Sequence, residues 1–232
     1  GELSMKVLMI TNHIIGGGSE KVALDTIRIL KRNMPDCELY LASCAEPAEQ
    51  VVIAPYVSGF VHLESSKDRL RPLRYIFNNF NERQLEGFFS CTEIDVIHLH
   101  SFMGEISPSI IYAIRKYKRT NRALRVIQTV HDYGIACPNS SLFNYHMNKP
   151  CQTCVGKRSY LKCNIVINRC YRGRIMISLL KYIRIVILNL VKYTEIVDTF
   201  ICPSDFARNI LVKEGIASGK LRVIRNPMLP LF

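Results

Sequence analysis

Tryptophan is absent from the 232 residues, and acids are scarce, with 19 Asp and Glu against 31 Lys and Arg. No segment orders a basic start, an apolar run and a small-residue cleavage site, so no secretory leader is expected. The most apolar helical stretch, RIMISLLKYIRIVILNLVKY, is broken by Lys181 and Arg184, which argues against a membrane span. Internal repeats and low-complexity tracts are missing as well. The nine cysteines are odd in number, which speaks against a closed disulfide framework, and without a leader a thiol-reducing cytosol is their expected setting. What remains is a folded chain, 48% hydrophobic and long enough for one large α/β domain or two small ones.

The shortage of acid is local. From Ile106 to Thr194 there are sixteen Lys and Arg and one acid, Asp132, a net of +15; the total of +12 leaves −3 for the rest. Such asymmetry points to an anionic partner such as membrane phosphates, a phosphorylated substrate or nucleic acid, or else to a solvated basic face. A zinc-containing nucleic-acid-binding module accounts for the charge and the thiols. The chain offers no Trp and no aromatic-rich basic strand for it, so no nucleic-acid partner is expected.

Short apolar runs alternate with helical patterns, the signature of βαβ units. Strands are predicted at Lys6–Thr11, Glu38–Ala42, Val96–Leu99, Arg125–Val130, Phe200–Cys202 and Arg222–Ile224. Helices are predicted at Ser19–Lys31, Leu70–Phe89, Pro108–Arg119, Arg174–Tyr193 and Asp205–Glu214. The layout is α/β, a Rossmann-like doubly wound and mostly parallel sheet. Residues 1–4 read as an expression remnant, 5–227 as the domain, 138–173 as a Cys-rich basic insertion, and 228–232 as the start of a linker. Ligands of such sheets bind beyond the carboxyl ends of the strands, which selects the loops Asn12–Gly18, His100–Ser107 and His131–Asn139.

In the first of these loops Gly16, Gly17 and Gly18 precede a helix. Glycine lets a backbone approach a ligand closely, and helix-start N–H groups attract phosphate. The dinucleotide fingerprint fails at Lys21, and no Walker lysine follows, so a purely structural tight turn stands beside the anion-binding reading. DVIHLHSF puts His98 and His100 on one face of a strand, His98 as a hydrogen-bonded core residue and His100 nearer the crevice. His131 and Asp132 end the next strand, where an imidazole can meet a substrate hydroxyl and a carboxylate can orient it, or both can be structural. Four thiols, Cys151, Cys154, Cys163 and Cys170, suffice for a structural zinc, with Cys137 able to replace one ligand. Free reduced thiols are the alternative.

The ordered set IIGGGSEKV, DVIHLHSF, TVHDYGIACPN, CPSDFAR and RVIRNP resembles the N-terminal domain of family 4 retaining glycosyltransferases of the two-domain GT-B fold. The resemblance runs from about Met5 to Pro227. It implies transfer of a sugar from a nucleotide-sugar without a cofactor required for catalysis. Gly16–Gly18 then approach the donor phosphates, His131 sits beside the transferred sugar with Asp132 in support, and His100, Ser101, Tyr133 and Arg208 line the acceptor crevice. The donor-binding second half, with its Glu-x7-Glu motif, is not in this chain, so the fragment alone is expected to be inactive. A glycan or lipid-linked acceptor at an anionic membrane surface is the implied partner, and the location is cytoplasmic, peripheral at the inner face of the plasma membrane. A non-catalytic glycan-binding domain is the alternative. In the 174–193 stretch, Arg174, Ser178, Lys181, Arg184 and Lys192 share one helical face, either the exposed face of a core helix or the polar side of an interfacial membrane helix.

Overall fold

The computed structural model describes residues 4–66 and 72–227. The chain divides into two compact units, residues up to Thr129 with 225–227 in the first and Val130–Ile224 in the second. In the first, β1 (Lys6–Ile10), β2 (Glu38–Ser43), β3 (Gly59–His62), β4 (Val96–Leu99) and β5 (Arg125–Thr129) form a parallel sheet in the order β3-β2-β1-β4-β5. Val7, Leu8, Met9 and Ile10 are all buried, which explains why β1 reads as an unbroken apolar run and not as an alternating one. Helices α1 (Gly18–Asn33), α2 (Pro47–Ile53), α3 (Asn79–Cys91) and α4 (Ser109–Thr120) connect the strands. Ile27 of α1 and Ile53 of α2 pack with Ile14, Leu39 and Leu41. Phe89 of α3 stacks on Tyr117 of α4 at 4.3 Å.

The strand order turns back between β1 and β4, so the loops that follow these two strands flank the topological switch point, where doubly wound sheets open a crevice. The fold class is thus the expected Rossmann-like one. Two elements escape the sequence pattern. β3 is a four-residue edge strand that begins with a glycine, and α2 is a seven-residue helix started by a proline, so each resembles a turn. The predicted helix Leu70–Phe89 is corrected. Its first residues lie outside the described ones, Pro72–Tyr75 form a 3-10 turn, and α3 starts only after Asn78, whose Oδ1 accepts the Phe80 N–H at 3.0 Å. Of the proposed terminal segments, residues 1–3 and 228–232 lie outside the described residues.

In the second unit β8 (Thr199–Cys202) and β9 (Leu221–Val223) pair in parallel, and a short antiparallel pair joins β6 (Phe143–Asn144) to β7 (Lys149–Pro150). Helices α5 (Asn164–Ile167), α6 (Ile175–Leu190), α7 (Tyr193–Ile196) and α8 (Asp205–Lys213) complete it. Its core gathers Ile185, Leu188, Tyr193 and Phe200, the last two ring-edge to ring-face at 6.3 Å.

The middle of helix α6 departs from the exposed-basic-face reading. Ser178 and Arg184 are buried, the Arg184 guanidinium donates to the Pro138 carbonyl at 3.4 Å, and Ser178 Oγ accepts the Tyr171 N–H at 3.4 Å. Lys181 lies over the Tyr171 ring at 5.0 Å. The middle of the polar stripe therefore turns inward, while Arg174 and Lys192 at its ends are exposed, as are Ile175, Met176, Leu179 and Leu190.

Candidate functional site

The glycine loop leaves β1 at the switch point and runs into α1. Gly16 has φ +146, and a Cβ built at Gly16 or Gly18 has no heavy atom within 4 Å. Space above the loop is thus open, and all three glycines are exposed. At Gly17 a Cβ meets Glu20 Oε2 at 2.8 Å, because that carboxylate accepts the Gly17 N–H at 3.1 Å and the Ser19 hydroxyl at 2.8 Å. This is the backward bond of a capping box, which fixes the entry into α1.

His13, which the motif reading passed over, braces the same loop. Its ring lies between two carboxylates, Nδ1 at 3.2 Å from Glu49 and Nε2 at 3.1 Å from Glu105. Glu49 also accepts the Ile15 N–H at 3.2 Å, and Glu105 accepts the Ser65 hydroxyl at 2.8 Å. Burial works to lower the His13 pKa, but the two carboxylates outweigh it and raise the value above 6.5. Stability from this brace is full below pH 6.5 and is lost as pH rises through the folded-state pKa. With the ring 29% exposed, solvent screening holds the gain to about 0.5–1 kcal/mol. Ring NMR of His13 is expected to titrate above 6.5, and His13→Gln to remove this slope from the stability–pH curve. A midpoint below 6.5 contradicts the bracing.

The His98 and His100 rings lie 4.2 Å apart, tilted by 42°, and His98 Nε2 lies 2.8 Å from the Thr129 hydroxyl, so His98 is the hydrogen-bonded core residue expected. His100 is only 2% exposed, which leaves Ser101, partly buried, as the first side chain of that loop that reaches solvent.

In the second unit His131 is partly buried directly after Val130. Asp132 reaches solvent but is crowded by protein. Its Oδ1 accepts the Gly134 N–H at 2.6 Å, closing an Asx-type turn. Desolvation raises its carboxyl above the usual range, against the Gly134 bond and the charges of Arg184 and Lys181. Burial, then Arg184, lowers Lys181 to about 8, against the attraction of Asp132. Tyr133 meets Phe206 edge to face at 5.7 Å. Phe206, 51% exposed in the first turn of α8, carries no sequence signal beyond an aromatic after a helix cap. Ser204 caps α8, its Oγ accepting the Ala207 N–H at 3.2 Å, and Arg208 lies partly buried one turn on. The structure thus places Asp132 near the unforeseen Lys181 and Arg184, and Tyr133 against the unforeseen Phe206.

Among the described residues no group of three or more His, Cys, Asp or Glu side chains is arranged to hold a metal ion. All nine cysteines are free.

A parallel sheet of this order, with a glycine loop at its switch point, defines a Rossmann-like domain of the doubly wound class. Residues 16–228 match the family model described as Glycosyltransferase Family 4, and the chain belongs to that family. Among solved structures, Anabaena Alr3699/HepE in complex with UDP and glucose has a TM-score of 0.51 at 14% identity, over 97% of this chain and 45% of that one. HepE in complex with UDP-glucose has 0.51 at 12%, over 97% and 44%. The lipopolysaccharide outer core galactosyltransferase WaaB in its apo form has 0.47 at 13%, over 97% and 46%. At these identities the likeness is one of fold, and the chain spans less than half the length of these relatives. No curated protein sequence matches the chain.

Proposed function

We propose that this chain is the acceptor-side domain of a nucleotide-sugar-dependent retaining glycosyltransferase, which acts together with a donor-binding domain. The observation that carries this reading is the open, exposed glycine loop at the switch point of a family 4 domain. Gly16, Gly17 and Gly18 admit the donor diphosphate, and helix-start amides stabilise the charge that builds on it as the sugar departs. An acceptor hydroxyl attacks from the face that the nucleotide leaves, with His131 beside it, Asp132 in support, and Ser101, Tyr133 and Arg208 along the acceptor path. HepE is solved with UDP and with UDP-glucose, which supports a nucleoside diphosphate sugar as donor class. Alone, this chain transfers no sugar. Assay of the chain beside the protein extended past Phe232 tests this directly: transfer by the extended form only supports it, and turnover by the chain itself overturns it.

Gly18→Ala isolates the loop. The added methyl enters open space, so the thermal midpoint of the chain stays at the wild-type value, while the donor KM of the extended enzyme rises about tenfold, or 1.4 kcal/mol. An unchanged KM removes the loop from donor binding.

The acceptor is a glycan or lipid-linked molecule at an anionic membrane surface, and the protein works on the cytoplasmic side. Support comes from α6, where Ile175, Met176 and Leu179 face outward beside exposed Arg172 and Arg174. Among the described residues no helix is long and apolar enough to cross a membrane. Flotation with anionic vesicles at low salt is expected to carry the chain upward, and no binding under these conditions rejects the membrane reading.

A further inference from the structure

The insertion between Pro138 and Gly173 has little of its own to hold it. It contains two two-residue strands, one short 3-10 turn and one four-residue helix. Its apolar cluster with the flanking chain is small, with Ala136, Cys137, Leu142 and Ile210 as the buried members. Its backbone is tightly wound all the same. Ser140, Leu142, Asn148, Arg169 and Arg172 are five of the six described non-glycine residues with left-handed φ in the chain. Each such residue costs free energy that something else must offset.

The thiols lie where these turns converge. Cys137 is buried against Leu142, whose carbonyl accepts the Cys151 N–H at 2.8 Å, and the Cys170 carbonyl accepts the Tyr145 N–H at 3.0 Å from the end of the same hairpin. Arg169 and Arg172, both left-handed, bracket Cys170. Cys151-Gln-Thr-Cys154-Val-Gly156 turns back on itself through Val155 N–H to the Gln152 carbonyl at 3.0 Å and Lys157 N–H to the Cys154 carbonyl at 3.3 Å. The turn ends on Gly156 at φ +75, where a Cβ would press on the Lys213 carbonyl at 3.1 Å. Cys137, Cys154 and Cys170 are buried and Cys151 is partly so, on turns that these backbone bonds tie to one another. Cys163 sits apart from those bonds: it follows Lys162, whose ammonium is buried against the Ile135 and Ala136 carbonyls, and is itself left partly exposed.

We propose that Cys137, Cys151, Cys154 and Cys170 are the ligands of a structural Zn²⁺ that fastens the insertion, with Cys163 outside the set. The Cys154 and Cys170 thiols point to the Lys162 and Asn164 carbonyls at 3.9 and 3.8 Å, so binding requires these side chains to rotate toward a common centre. Four S–H bonds then break, four Zn–S bonds of about 2.3 Å form, four protons pass to solvent, and no electron moves. The bound centre carries a net charge of about −2, and the excess of Lys and Arg in this half offsets it. This use of the thiols is independent of the sugar-transfer reading.

The test uses the chain purified in reductant without chelator. Metal analysis is expected to give about one zinc per chain, nearly none in Cys137→Ser or Cys170→Ser, and about one in Cys163→Ser. Because the first two variants could misfold, the wild type carries its own readout. Alkylation with mass mapping should label Cys91 and Cys163 while sparing the four ligands until chelator is added, and Co²⁺ should give the intense d–d bands of a tetrahedral thiolate site. Absence of zinc, iron in its place, disulfide-linked pairs among the four, or loss of zinc in Cys163→Ser with retention in Cys137→Ser overturns the proposal.

Discussion

Lys162→Met lowers the stability of the second unit by about 3 kcal/mol, read from urea unfolding at pH 7. Lys162 Nζ lies 2.6 Å from Glu214 Oε2, and the two side chains are 3% and 8% exposed. The same ammonium donates to the carbonyls of Ile135 at 3.2 Å and Ala136 at 2.9 Å, so its loss strands two acceptors and one carboxylate. A cavity of about 240 Å³ borders the pair, which gives the stranded carboxylate room to relax and places the loss at the lower end of the usual 3–5 kcal/mol. Burial raises the Glu214 carboxyl above its normal range although Lys162 and the Gly156 N–H both pull it down. Desolvation therefore exceeds the attraction within the pair. It follows that Lys162→Met combined with Glu214→Leu recovers much of the loss, and that wild-type stability falls as pH rises from about 4.5 through the raised value. A double variant as unstable as the single one refutes this ordering.

His131→Ala, made in the enzyme extended past Phe232, is expected to cut kcat by about 10²- to 10³-fold with little change in donor KM, since help at the reacting hydroxyl is felt mainly in the transition state. Asp132→Asn is expected to cost less. The amide can still accept the Gly134 N–H, so the turn survives and only the charge facing Arg184 and Lys181 is lost. Equal losses in the two variants would point to a shared structural role. A His131→Ala enzyme within threefold of wild type would remove the imidazole from the reaction.

Strands buried on both faces announce themselves, and β1 and β4 were legible because their apolar runs end in loops of glycine or histidine. β3 was not, since a four-residue edge strand beginning at Gly59 has too few side chains to show a period. The glycine loop was legible from its composition. His13 was not, because its carboxylate partners are 36 and 92 residues away and meet it only through the fold. The polar stripe of α6 was seen but its direction was not, because periodicity reports that one face differs and not which face is outside. Arg184 turns inward onto the Pro138 carbonyl, which is remote from it in sequence.

Glu20 gives the glycine loop an occupant of its own. With its carboxylate on the Gly17 N–H, the mouth of α1 already holds a negative group tethered three residues away. On the proposed donor role of the loop, a diphosphate that takes the Gly17 amide competes with that tethered anion, so its affinity there is the difference between two anions for one donor. Under that proposal free phosphate gains little from the exchange, and a ligand held elsewhere by its nucleoside gains more.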